Sequence, residues 1–469
     1  MRIICVAGAR PNYMKVKPVM DALALHGAEV LLVHTGQHYD AAMNDVFFAE
    51  LGIRPPDHFL GAGSGSHATQ AARVMTAFEP LAESLCPDAV VVVGDVNSTM
   101  ACALVTAKSG TLLAHVEAGL RSRDWSMPEE INRVVTDRLS DYLFAPSPDA
   151  VGNLQGEGYR DDQIHLVGNV MVDTLLANLD RALQSDMLSR LGITPGEYGL
   201  VTLHRPANVD DPAMLKGLLS ALDAVAAMCP LVLPAHPRAA QQLQAAGMSA
   251  RVRVIPPAGY LDFIALQASA CLVLTDSGGV QEETTVLGIP CLTLRDNTER
   301  PITLTEGTNQ LVGRDPERIV AAARGVLNAP PPQRAPALWD GGGTLCVSWQ
   351  PALSGDPDIA LLAGNALPVR SGQRPVTLSQ ADGGGPALDA VYVPPARSAY
   401  VRGDGRAGTR YLVADTGVRF AIHDDDAAHD LGLMAPIPAP WPLLLALPSG
   451  PELSRQNASV AHDAVAGTP

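Results

Sequence analysis

The sequence predicts an α/β protein: two doubly wound domains, each a mostly parallel sheet between helices, then a Pro- and Gly-rich, mainly β segment. Three observations carry this reading. Short runs of Val, Ile and Leu alternate with longer stretches of helical spacing; chemistry-bearing residues fall at or just past the ends of those runs; and the alternation stops after Asn328. With 469 residues, 47% of them hydrophobic and 17% charged, the chain has room for two or three domains and the composition of a globular protein.

The first series of strand-like runs covers residues 3–7, 30–33, 89–93, 111–116, 142–145 and 165–167. The second covers 200–203, 231–233, 252–255, 271–275, 291–294 and 310–312. Two such series imply two domains with a boundary near residues 170 to 195, and a ligand site in the cleft between them at the carboxyl ends of the strands. Arg10 and Lys15 interrupt the opening apolar run before it could form a signal-peptide core, so it reads as a first strand. The late apolar run 441–447 is far short of the roughly 20 residues that span a bilayer, so no membrane segment is expected.

A formal charge of −16 with only four lysines argues against a nucleic-acid partner, which needs clustered cations. The seven cysteines have no CxxC spacing, and four of them (Cys5, Cys102, Cys271 and Cys291) sit in apolar runs; they read as small core residues with neither metal nor redox role. The last 140 residues hold 18 of the 38 prolines and no lysine, with strand-like runs at 390–393 and 409–413 between turn residues. His423 to Asp426 reads there as a solvated loop and not as a metal site.

Four constellations carry chemistry. Gly8, Arg10 and Lys15 follow the first run, where glycine admits close approach and Arg10 offers a forked donor, although a solvated arginine on a short loop fits equally. Asp95, Glu117 and Glu129 lie at or beyond the ends of successive runs; they suit proton transfer, and each alone also suits a helix cap. His204 and His236 close two buried runs, where an imidazole can meet a diphosphate oxygen or simply satisfy a core. Ser277, Gly278 and Gly279 precede a helix whose first turns hold Glu283: backbone N–H groups for phosphate and a carboxylate for ribose hydroxyls, without the Walker lysine or GxGxxG spacing of ATP and NAD sites. The glycine-rich 61–65 follows no strand-like run and reads as a loop.

The ordered segments GARPNYMKVKPV, TGQHYD with DVFF, VVVGDVNST, HVEAGLRS, MPEEINR, VGNVMVDTL, TLHRPANVDDP, TDSGGVQEE, GIPCLTLRDNTERP and GTNQLVG resemble the non-hydrolysing UDP-N-acetylglucosamine 2-epimerases over about residues 1 to 340. The resemblance implies two Rossmann-like domains in a glycosyltransferase-B-like arrangement, a cytoplasmic homodimer serving cell-envelope polysaccharide synthesis, and no cofactor. The implied reaction is reversible epimerisation at C2 of UDP-N-acetylglucosamine through elimination and re-addition of UDP. Asp95, Glu117 and Glu129 would be the acid/base group, and His204 would assist the departing diphosphate. Arg10, Lys15, Ser277, Gly278, Gly279 and Glu283 would bind substrate, while Gln37, Arg205 and His236 would hold a second UDP-N-acetylglucosamine as activator. A hydrolysing epimerase and a glycosyltransferase using the same cleft remain enzyme alternatives.

From about Thr344 the segments TLCVSW, ADGGGPALDAVYVPPARSAYVR, GTRYLVADTGVRFAIHDDDAAHDLGL and APWPLLLALPSGPELSRQNASVAHD resemble the C-terminal part of EccB, a component of type VII (ESX) secretion. The two series of runs and the two resemblances together imply domains at 1–170, 171–340 and 341–469, with loss of the terminal helix that epimerases carry after the segment Leu338 to Gly341. From another class, the second resemblance leaves open a non-catalytic secretion component that retains a sugar-nucleotide fold.

Overall fold

The computed structural model describes residues 1–36, 41–329, 336 and 339, the strands 344–350, 358–364, 376–377 and 390–391, and residues 398–403, 409–423, 425–433, 435–439, 444 and 447–454. The chain forms two compact units, Met1–Gly342 and Gly343–Pro469.

The first unit holds two parallel sheets. The strands of one are β1 (Arg2–Ala7), β2 (Glu29–His34), β3 (His58–Phe59), β4 (Ala89–Val93), β5 (Leu112–Val116), β6 (Tyr142–Ala145) and β7 (Ile164–Leu166), in the order β3-β2-β1-β4-β5-β6-β7. Those of the other are β8 (Gly199–Thr202), β9 (Leu231–Pro234), β10 (Val252–Ile255), β11 (Leu272–Thr275), β12 (Cys291–Thr293) and β13 (Asn309–Leu311), in the order β10-β9-β8-β11-β12-β13. Each sheet reverses its winding once, between β1 and β4 and between β8 and β11, and these switch points open a crevice at the strand carboxyl ends. Strands such as β4 are buried along their whole length, which is why they read as unbroken Val and Ala runs instead of alternating ones.

Every strand-like run read in this region is a strand, and β3 is an addition. It has two residues after Pro55 and Pro56, too few to register as a run, and it pairs only with the end of β2. The glycine-rich 61–65 therefore does follow a strand, contrary to the sequence reading. Its start is tied to the loop after β2 by Ala62 N donating to Thr35 O and Gly63 N donating to Gly36 O, both at 2.9 Å.

The helix Val170–Leu183 links the two lobes, packing against the helix Arg10–Leu25 of the first and the helix Tyr260–Ala268 of the second. One apolar cluster runs through all three, from Cys5, Tyr13 and Val16 to Leu175 and on to Tyr260 and Ile264. Glu50, on the helix Ala41–Leu51, caps the helix Tyr260–Ala268 from the other lobe, accepting Tyr260 N at 2.5 Å and Leu261 N at 3.2 Å. These contacts hold the crevices of the two sheets against each other.

The second unit is mainly β. β14 (Thr344–Gln350) pairs antiparallel with β15 (Asp358–Gly364), and β16 (Val376–Thr377) with β17 (Ala390–Val391). β18 (Ala399–Gly403), β19 (Arg410–Val413), β20 (Arg419–Ile422) and β21 (Ile437–Ala439) form a sheet in the order β20-β19-β18-β21. Asp425–Asp430 is a helix where a solvated loop was expected: Asp425 and Asp426 favour its positive N-terminus, and Ala427 and Ala428 bury against Tyr400 and Ile422. Among the described residues no helix is long and apolar enough to cross a membrane.

Candidate active site

The loop after β1 is built by Asn12, whose Oδ1 accepts the backbone N–H groups of Gly8 and Ala9 at 3.0 Å and whose Nδ2 donates to Val93 O at the end of β4. This ties the Arg10 loop to the Asp95 loop. Gly94 joins β4 to Asp95 at φ +66°, and a Cβ there would lie 3.0 Å from Lys15 Nζ and 3.3 Å from Glu117 Oε2. Glycine is thus required twice, for the left-handed backbone and for the charged pair packed against it.

Glu117, at the end of β5, is a non-glycine residue with φ +74°. Strain of this kind survives only where neighbours over-determine it. Glu117 N and Ala118 N both donate to Phe144 O, at 3.1 and 3.0 Å. Beneath the same loop the buried His115 ring meets Asp137 Oδ1 at 2.6 Å and Gly94 O at 2.8 Å, while Asp137 also accepts Gly119 N and pairs with Arg121 at 2.7 Å. Burial opposes the Asp137 charge, but His115 and Arg121 overcome it and hold the carboxyl below its usual range.

Glu117 is 7% exposed, and its carboxylate is gripped by two cations: Lys15 on Oε2 and Arg300 Nη2 on Oε1 at 2.6 Å. Asp95 pairs with Arg133; burial raises its pKa, yet Arg133, Lys15 and Arg300 together carry it below the ordinary value. Arg133 also pairs with Glu130, which accepts Ser122 N at 2.9 Å and Arg123 N at 2.8 Å and so shapes the preceding loop. Glu130 is accordingly structural, while its neighbour Glu129 lines the cleft.

In the second lobe Asp276, fully buried, accepts His204 N at 3.0 Å, Arg205 N at 2.9 Å and Asn208 Nδ2 at 3.1 Å, and lies 2.9 Å from His204 Nδ1. Burial raises the Asp276 pKa, but the His204 ring together with the backbone N–H groups of Arg205 and His204 carries it below the ordinary value. The His204 side chain itself is exposed and faces the cleft. Ser277, Gly278 and Gly279 start the helix Gly278–Leu287 at the cleft wall, with their N–H groups at its positive end. Gly278 has a second reason to lack a side chain: a Cβ would sit 2.4 Å from Arg300 Nη1 and 2.6 Å from Glu299 Oε1. Glu283, 4% exposed, borders the cleft with its pKa pushed up to about 8 by burial.

The lobes enclose a cleft of about 820 Å³. Arg10, Lys15, Asp95 and Glu129 border it from the first lobe; His204, Arg205, His236, Ser277, Gly278, Gly279 and Glu283 border it from the second. Twelve of the thirteen expected residues fall in this region, and the thirteenth, Gln37, lies outside the described residues. Glu117 does not border the cleft; it lies one layer beneath, covered by Lys15 and Arg300, which do. Sequence reading passed over Glu299 and Arg300, although both border the cleft from the loop that follows β12, six and seven positions past Thr293. Position after a strand end was the available signal, the same one that found Asp95 and Glu117.

Acid groups from one doubly wound lobe, facing a helix N-terminus and a carboxylate-held histidine from another, define a class: two-lobed enzymes that act on a phosphate-bearing ligand. Comparisons specify it further. Residues 22–343 match the family model described as UDP-N-acetylglucosamine 2-epimerase. A UDP-N-acetylglucosamine 2-epimerase of Methanococcus maripaludis is 40% identical over 339 residues, 70% of this chain and 92% of that protein. A UDP-2,3-diacetamido-2,3-dideoxy-D-glucuronate 2-epimerase of Pseudomonas aeruginosa is 42% identical, over 69% of this chain and 92% of its own length. The crystal structure of the Methanocaldococcus jannaschii UDP-GlcNAc 2-epimerase with UDP-GlcNAc and UDP superposes with a TM-score of 0.67 at 40% identity, over 70% of this chain and 93% of that one. The chain belongs to the UDP-N-acetylglucosamine 2-epimerase family.

Proposed function

We propose that the chain interconverts UDP-N-acetylglucosamine and UDP-N-acetylmannosamine. The carrying observation is the convergence, in one cleft, of Asp95 and Glu129 from the first lobe with the Ser277 to Gly279 helix end from the second. A base removes the C2 proton, the C–H electron pair becomes a C1–C2 double bond, and the C1–O pair leaves on the β-phosphate of UDP. Re-addition restores C1–O while a proton reaches the opposite face of C2, so the net reaction is redox-neutral and calls for acid/base groups on two faces.

In this reading Asp95, Glu117 and Glu129 form the acid/base group, with Glu117 one layer beneath the sugar. His204, oriented by Asp276, assists the departing diphosphate. Arg10, Lys15, Ser277 and the N–H groups of Gly278 and Gly279 take its charge, with the Ser277 N–H itself given to Thr275 Oγ1 at 3.0 Å, and Glu283 takes the ribose. Arg205 and His236, with Gln37, would receive a second UDP-N-acetylglucosamine as activator. Resemblance to the family supports a cytoplasmic homodimer supplying an amino sugar for cell-envelope polysaccharide. Incubation with UDP-N-acetylglucosamine in deuterated water should place deuterium at C2 in both epimers. No incorporation, release of free N-acetylmannosamine with UDP, or dependence on an acceptor would refute the reading.

A second reading is favoured by the Pseudomonas relative: the same C2 chemistry on a UDP-2,3-diacetamido-2,3-dideoxy-glucuronate. Parallel assays of both sugar nucleotides separate the two by kcat/KM. Residues 341–469 we read as an EccB-like fragment beside epimerase domains at 1–170 and 171–340, a division supported by the segments quoted above. Residues 1–340 should then turn over within threefold of the full chain. Association with the cell envelope and no turnover would favour a non-catalytic secretion component instead.

A further inference from the structure

We propose that Arg300 is a positioning residue for Glu117, carried by the second lobe to a carboxylate of the first, so that the acid layer under the cleft is complete only when the lobes are docked. The inference rests on the epimerase reading for the role of Glu117, and on geometry for everything else.

Arg300 stands 183 positions from Glu117 in the chain and 2.6 Å from it in space. Arg300 is 5% exposed, and its guanidinium faces a carboxylate on each side: Glu117 at Nη2, Glu299 at Nη1 at 2.5 Å, and Glu282 at Nε at 2.9 Å. The Glu282 contact is an ion pair without hydrogen-bond alignment. Three acidic partners leave this cation little charge to offer a phosphate, although it borders the cleft. It packs against Gly278, where a Cβ would lie 2.4 Å from Arg300 Nη1.

Glu117, in turn, needs what Arg300 supplies. Its backbone is held in a left-handed conformation that favours glycine, and its carboxylate has one cation per oxygen. Lys15 comes from the same lobe as Glu117 and is present whether or not the second lobe is docked. Arg300 is not. Without it, Oε1 loses its donor and a buried carboxylate is left half-paired. Small misplacements of a group near the reacting carbon cost rate far more than affinity.

The test uses the full chain with Arg300→Met and Arg300→Lys. For R300M, kcat for UDP-N-acetylglucosamine should fall at least 100-fold while calorimetric affinity for UDP stays within threefold. The Glu117 and Ala118 amides should exchange hydrogen at least tenfold faster than in the wild type in the presence of UDP. R300K, which keeps the charge but cannot fork between Glu117 and Glu299, should recover part of the loss. A kcat within threefold of wild type overturns the proposal, and so does UDP affinity falling in step with kcat, which would make Arg300 a phosphate ligand. Should the wild type itself not turn over, the epimerase reading fails, and the exchange measurement still decides: unchanged protection of the 117–118 amides in R300M, or in R300K if R300M does not fold, rejects the positioning role.

Discussion

Replacing Glu283 with Gln should stabilise the second lobe at neutral pH and leave it unchanged in acid. Burial lifts this carboxyl from 4.5 to about 8. A raised acid contributes stability that is complete below its unfolded pKa and is lost as pH climbs through the folded value. Each pH unit in that window costs about 1.4 kcal/mol. From pH 4.5 to about pH 7 the native state thus gives up about 3 kcal/mol by keeping Glu283 protonated, and Gln, isosteric and uncharged, avoids it. At roughly 2–4 °C per kcal/mol, the calorimetric transition of the second lobe should rise by several degrees in E283Q at pH 7. At pH 5 the same comparison should show a gap below about 1 kcal/mol. Equal transitions at pH 7, or a gap that persists unchanged at pH 5, would refute the burial argument and mean that Glu283 is ionised and paired at neutral pH.

Gly94→Ala puts a Cβ on a residue at φ +66° and 3.0 Å from Lys15 Nζ, so it should cost about 1–2 kcal/mol in thermal or denaturant unfolding and lower kcat at least tenfold through the displaced Lys15–Glu117 pair. Asp276→Ala leaves the part-buried His204 and Arg205 N–H groups without their acceptor, takes one of two acceptors from Asn208 Nδ2 and frees the His204 ring; about 1–3 kcal/mol per unpaired group predicts a fall in Tm together with slower turnover. Glu50→Ala uncaps the helix Tyr260–Ala268 across the lobe boundary, an expected loss of about 1–2 kcal/mol that denaturant titration can read, with a larger effect on KM than on kcat because the reacting groups are untouched.

The strands were legible because a parallel sheet covered on both faces demands continuous apolar runs, and each of the twelve runs read in the first unit is a strand. Site residues were legible by the same logic: Asp95, His204 and Ser277 stand just past β4, β8 and β11, where doubly wound sheets open their crevices. β3 escaped because its two residues, after two prolines, form no run, and the helix Asp425–Asp430 because its acidic start reads as a polar loop.

Local pattern and order thus decide the elements and which loops carry chemistry, since both depend on neighbours a few residues away. The pairing of charges does not follow from them. That Glu117 lies under the cleft and not in it, that Glu130 shapes a loop while Glu129 faces the ligand, and that Arg300 crosses between lobes to meet Glu117 depend on distances between segments up to 183 positions apart. The packing of the helix Val170–Leu183 between the two lobes, with direct contacts such as Glu50 on the helix Tyr260–Ala268, brings those segments together, and a buried charge takes its role from what it meets there.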